Sequence, residues 1–139
     1  MNDKIEESKA PVVLVIDDED GMRQMLCQAL EDEGFEVMAA SDGQAGLMFM
    51  ETKPADVVIT DIIMPGLGGN EAIFTFRREF PDARIIAMSG GGRKGEMSFL
   101  KIAEKQGADG IIAKPFDLDE FVDLVRDVLA RGPRAADGD

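Results

Sequence analysis

Histidine, tryptophan and tyrosine are absent from this chain, and cysteine occurs once. Without histidine there is no Ser-His-Asp triad, no imidazole acid or base and no His-ligated zinc. The single thiol, Cys27, closes no internal disulfide and has no imidazole to activate it, so it reads as a helix residue near the core. Positive charge is scarce: 28 acids against 15 bases leave a formal net charge of −13, which repels nucleic acid and anionic membranes at long range. No stretch approaches the roughly 18 consecutive apolar residues of a membrane span, and residues 1–9 are too acidic for a secretory signal. Direct nucleic-acid binding and membrane insertion are therefore not expected, and a cytoplasmic address is. Any chemistry falls to carboxylates.

What is present has the balance of one globular domain, with 45% hydrophobic and 31% charged positions in 139 residues. Five short, β-rich apolar runs, at 12–16, 35–39, 57–60, 84–88 and 110–113, alternate with segments of helical periodicity. Met22, Met25, Leu26, Ala29 and Leu30 form one apolar stripe that ends before Gly34. Ser41 or Asp42 is placed to cap a second helix through Met50, Asn70 stands near the start of a third running to Phe80, and residues 98–106 carry most of a fourth. Asp117 opens the last, with Phe121, Leu124, Val125, Val128 and Leu129 as its buried face. Strict alternation of strand and helix implies an α/β fold, because each parallel return needs a crossover helix and the helices cover both faces of the sheet. The folded unit is expected over residues 11–131, with flexible polar tails at 1–10 and 132–139.

The informative residues fall where the runs end. Asp17 and Asp18 close the first, with Glu19 and Asp20 behind them, and Asp61 closes the third. In open parallel sheets, functional groups gather beyond the carboxyl ends of strands where the strand order reverses, so Asp17, Asp18 and Asp61 converge if those two strands are neighbours. Two unit charges about 4 Å apart repel by about 4 kcal/mol at an effective dielectric of 20, so such a cluster needs a counter-charge. Hard oxygen ligands suit Mg²⁺ or Mn²⁺, and Lys114, at the end of the fifth run, can add a fixed cation. A solvated acidic turn before a helix N-terminus accounts for Glu19 and Asp20. It does not account for three aspartates on two strand ends.

Four stretches then carry a family resemblance: Val15 to Glu19 around Asp17 and Asp18, Thr60 to Gly66 around Asp61, Ala87 to Gly90 around Ser89, and Ala113 to Phe116 around Lys114 and Pro115. In order and separation they resemble the signature stretches of response-regulator receiver domains. The resemblance implies a single doubly wound, flavodoxin-like sheet of five parallel strands in the order 2-1-3-4-5. It implies a phosphorelay response regulator that takes a phosphoryl group onto Asp61 from a phosphohistidine partner, either a sensor histidine kinase or a histidine phosphotransfer protein. It further implies that Asp18, Asp61 and the Ile63 backbone carbonyl bind Mg²⁺ directly, with Mn²⁺ as a substitute, and that Asp17 acts through metal-bound water. Ser89 would hydrogen-bond the phosphoryl oxygens, Lys114 would pair with them, and the Lys114–Pro115 peptide would be cis. A conformational change would signal to a downstream protein target, with no catalysis beyond the domain's own phosphorylation and dephosphorylation.

Rival readings are weaker. Gly90 to Gly95 matches G-x-G-x-x-G, but it follows the fourth run rather than opening the first βαβ unit, and no acid closes a strand about 20 residues later. Glu96 after Gly95 rules out a Walker loop. A flavin phosphate loop after the first strand would meet carboxylates instead of hydroxyls and amides. An aspartyl-phosphate phosphohydrolase of the haloacid-dehalogenase kind would carry a second acid two residues after the nucleophile, where Ile63 stands. Against the receiver pattern, Ile111 occupies the place where many receivers have a Tyr or Phe switch. The switch is therefore expected to run through Ser89 and the glycine loop at 90–95, with apolar Met97, Phe99, Leu100 and Ile102 as a candidate docking surface.

Overall fold

Five residues in a row, Val12–Ile16, are buried, which is why this strand, β1, is apolar at every position instead of alternating. It is an interior strand of a five-stranded, all-parallel sheet in the computed structural model, which describes residues 10–62, 69–89, 101, 103–105 and 107–132. The other strands are β2 (Glu36–Ala40), β3 (Val57–Asp61), β4 (Arg84–Ser89) and β5 (Gly110–Ala113), in the order β2-β1-β3-β4-β5. The helices are α1 (Asp20–Asp32), α2 (Gly43–Thr52), α3 (Gly69–Glu79) and α4 (Leu118–Arg131). Between β4 and β5 the described residues 101 and 103–105 are helical.

Side chains alternate across the sheet, so each strand feeds two cores. Val13, Val15, Ile59, Ile86 and Met88 pack with Leu26 and Leu30 of α1 and Phe121, Val125 and Val128 of α4. Leu14, Ile16, Val58, Ile85 and Ala87 pack with Met50 of α2, Ala72, Ile73 and Phe76 of α3, and Ala103. On one face α2 comes very close to β1: a Cβ added to Gly46 would stand 2.5 Å from Ile16 Cδ1. Gly107, at φ +117°, turns the chain into β5 in a conformation that L side chains rarely adopt.

Local chemistry sets the boundaries. Asp42, one of the two anticipated caps, accepts the Ala45 N–H at 2.8 Å, and Asp117 accepts the Glu120 N–H at 2.7 Å. Strand β2 starts at Glu36 and not Phe35, because the Phe35 N–H bonds Leu30 O at the end of α1 while Glu36 N–H bonds Pro11 O. Not every side chain of the expected apolar stripes is buried: Met25 is 45% exposed, and on α4 Leu124 and Leu129 are only half-buried, while Val122 is buried. The tails at 1–9 and 133–139, the glycine loop 90–95, and Met97, Phe99, Leu100 and Ile102 lie outside the described residues.

Candidate functional site

Register brings the predicted residues together. Ile16 pairs with Thr60, so the next residues, Asp17 and Asp61, leave neighbouring strands side by side. Ser89 pairs with Ala113, which puts Lys114 one residue beyond β5 at the same end of the sheet, and the Lys114 N–H bonds Ser89 O at 2.7 Å. The strand order reverses across β1, since β2 lies on one side of it and β3 on the other. The site thus forms at the carboxyl edge where such sheets bind ligands.

Lys114 Nζ donates to Asp17 Oδ2 and to Asp61 Oδ2, each at 2.9 Å. The Asp17 carboxylate is fully buried and that of Asp61 is 9% exposed, whereas Asp18 is exposed beside them. One carboxylate oxygen from each of the three aspartates lies within 4.8 Å of the others. Burial alone pulls the Lys114 ammonium down, but hydrogen bonds to Asp17 and Asp61 and their negative charges outweigh it and hold its pKa above the usual lysine value. The Lys114–Pro115 peptide is cis.

Two further groups complete the arrangement. Ser89 Oγ is buried without a hydrogen-bond partner among the described residues, an uncommon state for a hydroxyl in a core. The acidic turn is tied down twice, by Glu19 N–H on Asp17 Oδ1 at 2.9 Å and by Arg23 Nη1 on the Asp17 carbonyl at 2.8 Å. Arg23 went unnoticed in the sequence, although its i,i+3 spacing from Asp20 was a usable sign. Ile63, the anticipated carbonyl ligand, lies outside the described residues. Ile111 is half-buried against the core shared with α2 and α3. Cys27 is half-buried; burial and the charge of Glu31 push its thiol up against the opposing charge of Arg23, so it is not an activated nucleophile.

A family model described as the response regulator receiver domain matches residues 13–126. The chain belongs to that family. It is 30% identical over 117 residues to sporulation initiation phosphotransferase F of Bacillus subtilis, covering 84% of this chain and 92% of that protein. It is 35% identical over 120 residues to the DNA-binding transcriptional regulator NtrC of Azospirillum brasilense, where it covers 86% of this chain but only 24% of the relative. The chain also spans only 16% of the sensor kinase/phosphatase CqsS of Vibrio cholerae, at 33% identity. Among solved structures, the receiver domain of NtrX from Brucella abortus superposes with a TM-score of 0.79 at 28% identity, covering 85% of this chain and 98% of that one. As a receiver domain of two-component response regulators, the chain has a signalling role, and its sheet has the order that the sequence resemblance implied. No helix among the described residues is long and apolar enough to cross a membrane.

Proposed function

We propose that this receiver domain accepts a phosphoryl group on Asp61 from a phosphohistidine on a sensor kinase or phosphotransfer protein, in a Mg²⁺-dependent reaction. The observation that carries the reading is the lysine bridge: one ammonium holds the two innermost carboxylates of a three-carboxylate cluster at 2.9 Å each. An all-oxygen donor set of this kind, with one exposed member, fits a hard divalent cation better than zinc or copper. Asp18 and Asp61 would hold Mg²⁺ together with the Ile63 carbonyl, and Asp17 would act through a bound water. When bound, the ion neutralises phosphoryl oxygens and the excess carboxylate charge.

A carboxylate is a weak nucleophile, so the protein's contribution is placement and charge. In the transfer, an Asp61 carboxylate oxygen forms the new P–O bond while the P–N bond to the donor imidazole breaks and its electron pair returns to the ring. Lys114, held at the site by the Asp17 carboxylate, can turn from Asp61 toward the incoming phosphoryl oxygens without leaving its other partner. The Ser89 hydroxyl is a donor without a partner among the described residues, and a phosphoryl oxygen would satisfy it. Residues 11–131 are read as the receiver unit, acting in the cytoplasm on its own phosphorylation and dephosphorylation and signalling to a protein target, without nucleic-acid contact of its own.

The test is labelling by a small phosphoryl donor such as acetyl phosphate, with and without Mg²⁺. Wild type should incorporate phosphate only with the ion, and Asp61→Asn should incorporate none. Wild-type labelling of that variant would overturn the assignment.

A further inference from the structure

Arg23 stands in the first turns of α1, where a cation faces the positive end of the helix dipole and gains nothing from it. Its side chain is nevertheless only 18% exposed and folds back over the β1–α1 turn. There Nη1 donates to the main-chain oxygen of Asp17 at 2.8 Å and Nη2 to Asp20 Oδ1 at 2.6 Å. The Asp17 oxygen belongs to the rigid peptide unit that joins Asp17 to Asp18, so a donor on it fixes the direction in which the chain enters Asp18. Glu19 N–H closes the same turn onto Asp17 Oδ1. Glu19 itself, the N-cap of α1, makes no side-chain cap bond, so the turn lacks the usual device for fixing a helix start.

We propose that Arg23 is a positioning residue of the acidic site: its guanidinium fork clamps the Asp17–Asp18 peptide to the Asp20 carboxylate and so keeps the exposed Asp18 carboxylate within reach of Asp17 and Asp61. This rests on the reading of those three aspartates as the Mg²⁺ site. Two effects of the same side chain oppose each other. As a charge, Arg23 repels a cation, and removing it should strengthen Mg²⁺ binding. As a clamp, it preorganises a ligand, and removing it should weaken binding, as loss of an outer-shell partner does. The fork decides which dominates, because a lysine keeps the charge but cannot span two acceptors in fixed geometry.

The experiment is an amide NMR titration of the full chain with MgCl₂, without phosphoryl donor, for wild type, Arg23→Lys, Arg23→Met and Asp20→Ala. NMR suits a chain with no tryptophan or tyrosine. Both Arg23 variants should bind Mg²⁺ roughly tenfold more weakly, the low end of what outer-shell partners contribute. In the metal-free spectra the Glu19 amide should shift, as its bond to Asp17 loosens. Asp20→Ala, at a carboxylate 80% exposed and thus no threat to folding, should show a smaller loss of the same sign. Wild-type affinity in Arg23→Lys, or tighter binding in Arg23→Met or Asp20→Ala, would overturn the clamp and leave Arg23 as a charge only. A wild type that binds no Mg²⁺ would overturn the site as well, so the two failures are distinct.

Discussion

Replacing Lys114 by methionine keeps most of the apolar stem and removes the ammonium that two carboxylates share. The Asp17 and Asp61 oxygens then face each other within 4.8 Å with no fixed cation between them. At an effective dielectric of 20 their repulsion is about 3.5 kcal/mol, and in bulk water it would be only about 0.9 kcal/mol. Asp17 is fully buried and Asp61 nearly so, which favours the larger figure. Lys114→Met should therefore lose about 3 kcal/mol in urea unfolding at neutral pH in EDTA. Millimolar Mg²⁺ should restore more stability to the variant than it adds to wild type, since the ion then supplies the counter-charge that the lysine gave. Adding Asp61→Asn to Lys114→Met should recover most of the loss, because one of the two repelling charges is gone. A penalty near 0.9 kcal/mol that Asp61→Asn does not relieve would show that water screens the pair, and the account of the lysine as its electrostatic keystone would be wrong.

Other consequences are separable from that one. Asp18→Ala should weaken Mg²⁺ binding far more than Glu19→Ala in a phosphate-free titration; equal losses would reduce the site to a diffuse acidic patch. The raised pKa of Lys114 means that its contribution to stability is complete below the ordinary lysine value near 10.4 and is lost only as pH climbs through the higher folded value. The stability gap between wild type and Lys114→Met should accordingly stay level from neutral pH to about 10 and close above that; closure on the acid side of that window would contradict the sign. At the far end of the sheet, Arg77 pairs with Asp109 and also donates to the Gly107, Pro81 and Ala83 carbonyls, while Asp109 accepts the Ile85 N–H. Asp109→Ala leaves a buried guanidinium without its carboxylate and should cost about 3 to 5 kcal/mol in urea unfolding, with Mg²⁺ affinity at the opposite edge unchanged. A loss under 1 kcal/mol would mean that the carbonyls alone suffice.

The class of the fold and most of its elements are written in local pattern. Val12–Ile16 is uniformly apolar because it is covered on both faces, and helical periodicity and capping residues such as Asp42 and Asp117 mark where the chain must turn back. The acidic residues at strand ends were legible for the same reason: a parallel sheet sends all its carboxyl ends to one edge, so a residue just past a strand is already assigned to that edge. Strand order was not legible from periodicity, which says nothing of which strands pair; only the family resemblance implied it. What tertiary structure decided were contacts between residues far apart in sequence. Lys114 reaches Asp17 across 97 positions and Asp61 across 53, and the Arg77–Asp109 pair spans 32. Neither the Arg23 bond to a main-chain oxygen nor the burial of the Ser89 hydroxyl without a partner among the described residues has a local signature, since both depend on what the folded neighbours leave within a few ångströms. Sequence determined which chemistry could be assembled at the edge of the sheet; packing decided which charges meet there, because only packing sets distance and excludes water.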